Sequence, residues 1–314
     1  MALFNDKLQV KKTTEISLPS RANQDRGKYW RLPCANVYVV ADGHGPRGGL
    51  YAEESIRQVD HFLHKIDWEQ DDLNGAIRQL FIDIYTNSIQ NLAQGASSGT
   101  ASGGTTLTLL IIRLQDTWVA NVGDSQATVI DPLCSTMEIV TADHTPTNFD
   151  EFTRIIEHHP NAVFEYDRVN SSSSINPIYR QKAEKFWEMA ELPLVNCYYK
   201  NRNDELATYV GVGSDKIAMT RSIGDTRFKD SIGVIAEPYI KRLEAKKATD
   251  VILIATDGFW DPWTHGEIIE WCKSGTNFSG RGEGGREDMK NLHEKKATQY
   301  FGSSKDDSFM FIIE

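Results

Sequence analysis

Aspartate set in short turns is the feature of this sequence with the most chemical potential. Five segments carry it: Asn23-Gln24-Asp25, Asp42-Gly43-His44-Gly45, Gly123-Asp124-Ser125, Asp257-Gly258-Phe259-Trp260-Asp261 and Lys305-Asp306-Asp307. Aspartate is short, so the strand end that supplies it also fixes its carboxylate, and a following glycine lets the backbone approach closely and offer its carbonyl. Hard divalent cations such as Mg²⁺ and Mn²⁺ take oxygen ligands, carboxylates with water in the remaining positions. Two such ions about 3.5–4 Å apart can bridge a water and turn it into a hydroxide nucleophile for a phosphoryl centre, with no covalent enzyme intermediate. Taken singly, each Asp-Gly is an ordinary turn signal; only the conjunction of the five carries weight.

Such segments need a scaffold that brings strand ends together. The apolar run 37–41 reads as a buried strand that delivers Asp42. Residues 51–66 hold Ile56, Val59, Leu63 and Ile66 at helical spacing, and a second helix is expected over about 73–92, with Ile77, Leu80, Phe81 and Ile84 on one face. Runs 105–114 and 118–130 are strand-like and joined by a turn around Gln115-Asp116. Residues 250–256 form another strand, again ending in Asp-Gly, and 308–313 the last. Strands towards both ends with helices between them predict an α+β domain of helices packed on sheets. Two stretches look inserted. One is the polar tract 169–175 with a helical pattern over 179–192 after it; the other is 275–288, whose glycines predict a mobile loop.

The order and wording of the motifs resemble the metal-dependent protein phosphatases of type 2C, the PPM family. The matching stretches are Tyr38-Val-Val-Ala-Asp-Gly-His-Gly45, Ser102-Gly-Gly-Thr-Thr106, Val119-Ala-Asn-Val-Gly-Asp-Ser125, Ala142-Asp-His-Thr-Pro146 and Thr220-Arg-Ser-Ile-Gly-Asp225, then Ile235-Ala-Glu-Pro238, Ala255-Thr-Asp-Gly-Phe-Trp-Asp261 and Lys305-Asp-Asp307. The resemblance runs from about Arg21 to Ile313. It implies a single domain over 1–314, a four-layer β-sandwich of two antiparallel sheets flanked by helices, with an enlarged flap insertion at about 155–217. It also implies a serine/threonine phosphatase acting through a metal-bridged hydroxide, with two Mg²⁺ or Mn²⁺ ions and a weaker third site. Asp42 would bridge both metals and Gly43 would lend its carbonyl to one. Asp257 and Asp306 would hold the other, Asp25 would act through bound water, and Asp124 and Asp261 would join Asp257 at the third site. His44 would protonate the leaving serine or threonine oxygen, which suits an imidazole near neutral pH. Arg21, four residues before Asp25, would bind the phosphate, a guanidinium fork being matched to it; Arg47 is the alternative, and reads better as a surface arginine.

The chain departs from the family pattern at three points. Gln24 stands where glutamate is common, Asp307 where asparagine usually follows the last metal-binding aspartate, and Gln126 where arginine is common after Gly-Asp-Ser. With the enlarged flap, Gln24 and Asp307 motivate a rival reading, a silent relative that binds phosphoproteins; a hydrolase of small phosphate esters is a third. Retention of Asp42, His44, Asp257 and Asp306 favours the enzyme.

Composition excludes other classes. With 44 acidic and 34 basic residues the formal net charge is −10, which lacks the basic footprint of a nucleic-acid binder. Four scattered cysteines, Cys34, Cys134, Cys197 and Cys272, form neither a zinc pattern nor a disulfide framework, and none sits in a phosphatase-type cysteine loop. No apolar stretch approaches the roughly 20 residues that span a membrane. Residues 1–20 lack the apolar run of a signal peptide, and Ala2 does not suit N-myristoylation. The expected setting is cytoplasmic or nuclear, and the expected partners are phosphoprotein substrates, with no nucleic acid, no membrane and a monomeric chain. His144 reads as a turn residue, His158-His159 as surface, and Trp260 and Trp263 as scaffold for the Asp257 loop.

Overall fold

A strand buried on both faces has nowhere to sit except between layers. In the strand Ala35–Ala41 every residue is buried, and in the computed structural model it lies inside a sandwich. The structure describes residues 10–18, 23–93, 102–133, 135–167, 177–183, 186–190, 197, 199–200, 205–274, 284–302 and 306–314. One five-stranded antiparallel sheet runs in the order Tyr239–Glu244, Asp116–Val122, Leu107–Arg113, Ala35–Ala41, Arg26–Arg31. The other runs Thr13–Leu18, Ser308–Ile313, Val251–Ala255, Gln126–Asp131, Thr136–Ile139.

Side-chain alternation assigns the layers. Val37 and Val39 point to the helices Gly48–Leu63 and Asn74–Ala93, meeting Val59, Leu63, Ile77 and Phe81. Tyr38 and Val40 point the other way, into Ile252, Ile254, Phe309 and Phe311 of the second sheet. On that sheet's far side Leu253, Met310 and Ile312 pack on Phe259, Trp260, Trp263, Ile268 and Met289, from the helices Asp257–Trp260, His265–Ser274 and Gly284–Phe301. The layers are helix, sheet, sheet, helix, the expected four-layer β-sandwich of α+β class.

Three local expectations are corrected. The run 118–130 is not one strand: Asp116–Val122 belongs to the first sheet and Gln126–Asp131 to the second. Gly123, at φ 94°, lets the chain turn from one sheet to the other, so Gly123-Asp124-Ser125 is a crossover. Within 179–192 the described residues form a hairpin, Tyr179–Ala183 paired with Phe186–Met189, where a helix was expected. Aromatic packing overrides the helical spacing there: the rings of Tyr179 and Trp187 lie 3.9 and 5.2 Å from that of Phe152. Of the expected loop 275–288, residues 275–283 lie outside the described residues, and 284–288 begin the helix Gly284–Phe301. Met289, His293 and Ala297, all buried, give that helix its inner stripe. The polar tract 169–175 lies outside the described residues.

Beside the sandwich, the helix Phe149–His158 and the sheet of Val163–Tyr166, Thr208–Val212 and Asp215–Ile217 enclose a separate apolar cluster that includes Phe152, Phe164 and Val210. A miniature sheet of Ile223–Gly224, Gly104–Thr105 and Gly43–His44 joins three of the sequence motifs.

Candidate active site

Strand register gathers the aspartates. Arg26 pairs with Ala41, so Asp25, just before one strand, and Asp42, just after its neighbour, share an edge of the first sheet. Ala255 pairs with Met310, which brings the turns of Asp257 and Asp306 together at the second sheet. Asp261 lies one helical turn on, its N–H donating to the Asp257 carbonyl at 2.7 Å. Asp124 is buried in the crossover between the sheets.

The backbone of Asp42 is clamped by the motif Ser102–Thr106. Its N–H donates to Thr106 Oγ1 at 3.0 Å, and its carbonyl accepts from Thr106 N–H and Thr105 Oγ1, both at 2.8 Å. Gly43 cannot carry a side chain, since a Cβ would stand 2.4 Å from the Gly48 carbonyl carbon. Asp25, 4% exposed, accepts a hydrogen bond from Thr256 Oγ1 at 2.7 Å across the two sheets.

The Asp42 carboxyl lies within the electrostatic reach of those of Asp25, Asp257 and Asp306. Burial, then repulsion from Asp257 and Asp307, lifts Asp25 to about 7 against the Thr256 hydrogen bond. Asp306 is exposed at its surface edge, yet desolvation by the surrounding protein, then repulsion from Asp257 and Asp25, raises its carboxyl above the usual range. Asp42 is raised well above the carboxylate range by burial and by Asp25, Asp257 and Asp306. A group of acids held this way demands a cation. Lys200 supplies one: its Nζ lies 3.3 Å from Asp261 Oδ2 and 3.8 Å from Asp257 Oδ2, in a cavity of about 180 Å³ shared with Asp124 and Thr145. Among the described residues, no three of these side chains stand close enough to enclose a metal ion as they are. The donors nevertheless fit a hard divalent cation in type and charge: all are carboxylate or carbonyl oxygens, and the Lys200 ammonium already offsets part of their repulsion.

His44 stands beside this group, its Nε2 2.6 Å from Asp225 Oδ2. Burial pushes the imidazole pKa down; the Asp225 carboxylate, through its charge and its hydrogen bond, pushes harder and leaves it raised. The structure explains two departures from the family pattern. Gln24 Oε1 accepts from Gly49 N–H at 3.0 Å, capping the helix Gly48–Leu63, and Gln24 N–H donates to Asp307 Oδ2 at 2.6 Å. Gln126 is buried in its strand, opposite Ala255. Arg47 is spent on the Leu92 carbonyl at 2.8 Å, and Arg21 lies outside the described residues. His144 is buried with its Nδ1 3.1 Å from the Gly123 carbonyl, and burial lowers it to about 3, so it is a neutral structural residue. Trp260 and Trp263 are core. Sequence reasoning missed Thr256, Lys200 and the role of Asp225. The motif Thr220–Asp225 was the signal for the last; nothing in the wording around Lys200 marks it.

Comparison with known proteins agrees with the geometry. The family model "Protein phosphatase 2C" matches residues 34–283. A curated relative, the mitochondrial protein phosphatase 1K of Xenopus laevis, is 29% identical over 245 residues, covering 76% of this chain and 52% of its own length. A probable protein phosphatase 2C of Arabidopsis thaliana is 25% identical over 244 residues, with 76% and 46% covered. The chain thus spans about half the length of the curated relatives it matches. Among solved structures, the serine-threonine phosphatase 2C of Toxoplasma gondii superposes with TM-score 0.63 at 16% identity, over 96% of this chain and 94% of that one. A serine/threonine phosphatase of Staphylococcus aureus gives 0.59 at 15%, with 97% and 94% covered. On the matched residues, this chain belongs to the protein phosphatase 2C family.

Proposed function

We propose that the chain is a metal-dependent protein serine/threonine phosphatase, a single domain over 1–314 with its flap at about 155–217. The observation that carries this is the meeting of Asp25, Asp42, Asp257 and Asp306 at one edge of the sandwich, beside His44. Two divalent cations, Mg²⁺ or Mn²⁺, would there polarise an attacking water and the phosphoryl oxygens. Asp42 and the Gly43 carbonyl, with Asp257 and Asp306, would hold them, Asp25 acting through water; Asp124 and Asp261, with Asp257, would form the weaker third site. His44 delivers a proton to the oxygen that leaves phosphorus, and Arg21 binds the phosphate of the substrate. Gln24 and Asp307 have structural partners of their own, so neither supports a silent relative. A cytoplasmic or nuclear setting belongs to the same proposal, supported by Cys34, Cys197 and Cys272, which are unbridged; no helix among the described residues is long and apolar enough to cross a membrane.

The test is phosphate release from a phosphothreonine peptide with Mn²⁺, with EDTA, and from the variant Asp257→Ala. Release that needs metal and falls by at least about 100-fold in the variant is expected, since such a ligand carries several kcal/mol of charge stabilisation. No release at millimolar Mn²⁺ from folded protein would overturn the reading.

A further inference from the structure

The motif Thr220–Asp225 has no task in the chemistry so far, yet it ends against His44. In the miniature sheet Gly43 pairs with Thr105, His44 with Gly104, and Gly104 in turn with Gly224. His44 and Gly224 therefore flank one central glycine. Asp225 follows Gly224, and its carboxylate lies over that central position: a Cβ on Gly104 would stand 2.2 Å from Asp225 Oδ2. The bare backbone of Gly104 is what lets Asp225 reach across to His44 Nε2 at 2.6 Å.

Asp225 is itself held at every point. It takes a left-handed conformation, φ 46° and ψ 37°, which Asp and Asn tolerate better than other residues with a Cβ. Its N–H donates to the Gly103 carbonyl at 3.0 Å. Its Oδ2 accepts from Ser222 Oγ at 2.6 Å, and it is 5% exposed. On the imidazole the consequence is asymmetric. Nε2 is engaged by the carboxylate, while Nδ1 is buried and has no partner among the described residues. A carboxylate that accepts from one ring nitrogen fixes the ring's tautomer and orientation, and the opposite nitrogen becomes the one free to exchange a proton.

We propose that Asp225, braced by Ser222 and admitted by Gly104, is the positioning residue for His44: it binds Nε2–H and leaves Nδ1 as the nitrogen that protonates the leaving oxygen. This rests on the phosphatase reading above. As the oxygen of water bonds to phosphorus, its protons staying on the phosphate that forms until one is lost to solvent, the bond from phosphorus to the serine or threonine oxygen breaks, and that oxygen keeps the electron pair. The proton on Nδ1 moves to it. The neutral ring, whose side chain is 23% exposed at the cleft, retains Nε2–H on Asp225 and is reprotonated before the next turnover.

The experiment compares two leaving groups in the intact chain with Mn²⁺. A phosphothreonine peptide releases an alkoxide that needs a proton; p-nitrophenyl phosphate releases a stable phenolate that does not. Asp225→Asn suits the left-handed backbone and removes the charge. Its kcat on the peptide is expected to fall about 100-fold, the scale of a lost general acid. KM and Mn²⁺ affinity by calorimetric titration should stay within about threefold. The fall on p-nitrophenyl phosphate should be at least tenfold smaller. Ser222→Ala should show the same bias, more weakly. An equal loss on both substrates, or a loss of Mn²⁺ binding, would overturn the proposal, because Asp225 would then serve only the fold or the carboxylate group. Nitrogen NMR of the metal-free chain at alkaline pH gives a second readout, independent of turnover. His44 should carry its proton on Nε2 in the parent and a mixture in Asp225→Asn; a mixture in the parent overturns the assignment even if the protein has no activity. A fixed Nε2–H tautomer in a protein inert towards both substrates would uphold the positioning and sink the phosphatase reading instead.

Discussion

Replacing Asp25 by Asn should stabilise the metal-free protein, and only on the alkaline side. Asp25 is 4% exposed, and burial with repulsion from Asp257 and Asp307 raises it from 3.8 to about 7. Below about pH 4 both folded and unfolded chains are protonated there, and the group contributes nothing to the difference. Between pH 4 and 7 the folded chain binds the extra proton, so stability falls as pH rises, by about 1.4 kcal/mol per pH unit. Above pH 7 the full cost is in place, on the order of 4 kcal/mol. Asn keeps the shape and still accepts from Thr256 Oγ1, now 2.7 Å away, while giving up the charge. Urea unfolding in EDTA at pH 4.5 and pH 8 is the assay. We expect a gain of about 2–4 kcal/mol at pH 8 and less than about 1 kcal/mol at pH 4.5. Mn²⁺ should reverse the order, because the parent gains from cation binding what the variant cannot. Equal gains at both pH values, or destabilisation at pH 8, would refute the premise that the group is held under charge repulsion.

Three further outcomes follow from the geometry. Lys200→Ala should tighten binding at Asp257 and Asp261 by roughly fivefold, about 1 kcal/mol for a partly screened ion pair, seen as a sharper or additional Mn²⁺ step in calorimetric titration. Glu151→Ala should cost about 3–5 kcal/mol in urea unfolding. That buried carboxylate, held near 2 against its burial by Arg221 and Arg154, also accepts from Thr220 Oγ1 at 2.9 Å, and two arginines would lose their carboxylate while keeping only backbone carbonyls. Gly43→Ala should cost upwards of about 2 kcal/mol by overpacking, and should weaken Mn²⁺ binding as well, since the clash with Gly48 falls beside Asp42.

Strand-borne features were legible because burial imposes a period. The strand 37–41 and its delivery of Asp42, the two flanking helices and the final strand follow from apolar spacing and nothing else. The aspartates were legible as turn residues, and their union required the family resemblance, because register between Ala41 and Arg26 or between Ala255 and Met310 is a tertiary fact. Where a local pattern had two readings, packing chose. The hairpin 179–189 has helical spacing but is held by the Phe152 ring, and the run through Gly123 kept its apolar character while changing sheets. Asp225 stayed hidden although its motif was noticed, since its contact with His44 spans 181 positions through strands two residues long. Lys200 stayed hidden because a lysine in an insertion is usually a solvated one.

The site is also the place where the sandwich is hardest to close. Asp25 and Asp42 come from one sheet and Asp257 and Asp306 from the other, so bringing the sheets together is the same event as bringing the acids together. Aromatic packing between the layers, with the rings of Tyr38 and Phe311 5.6 Å apart, drives closure where the core is apolar. At the acidic edge it is opposed, and polar ties span the gap: Thr256 to Asp25, and Gln24 to Asp307. Lys200 and the raised proton affinity of Asp25 and Asp42 offset part of what remains. A cation seated among the four carboxylates would replace both devices and link the two sheets directly, so its binding energy would appear as stability of the whole sandwich. The departures at Gln24 and Asp307 then make mechanical sense. They anchor the loop of Asp25 to the helix Gly48–Leu63 and to the second sheet, holding the acids near one another before any cation arrives.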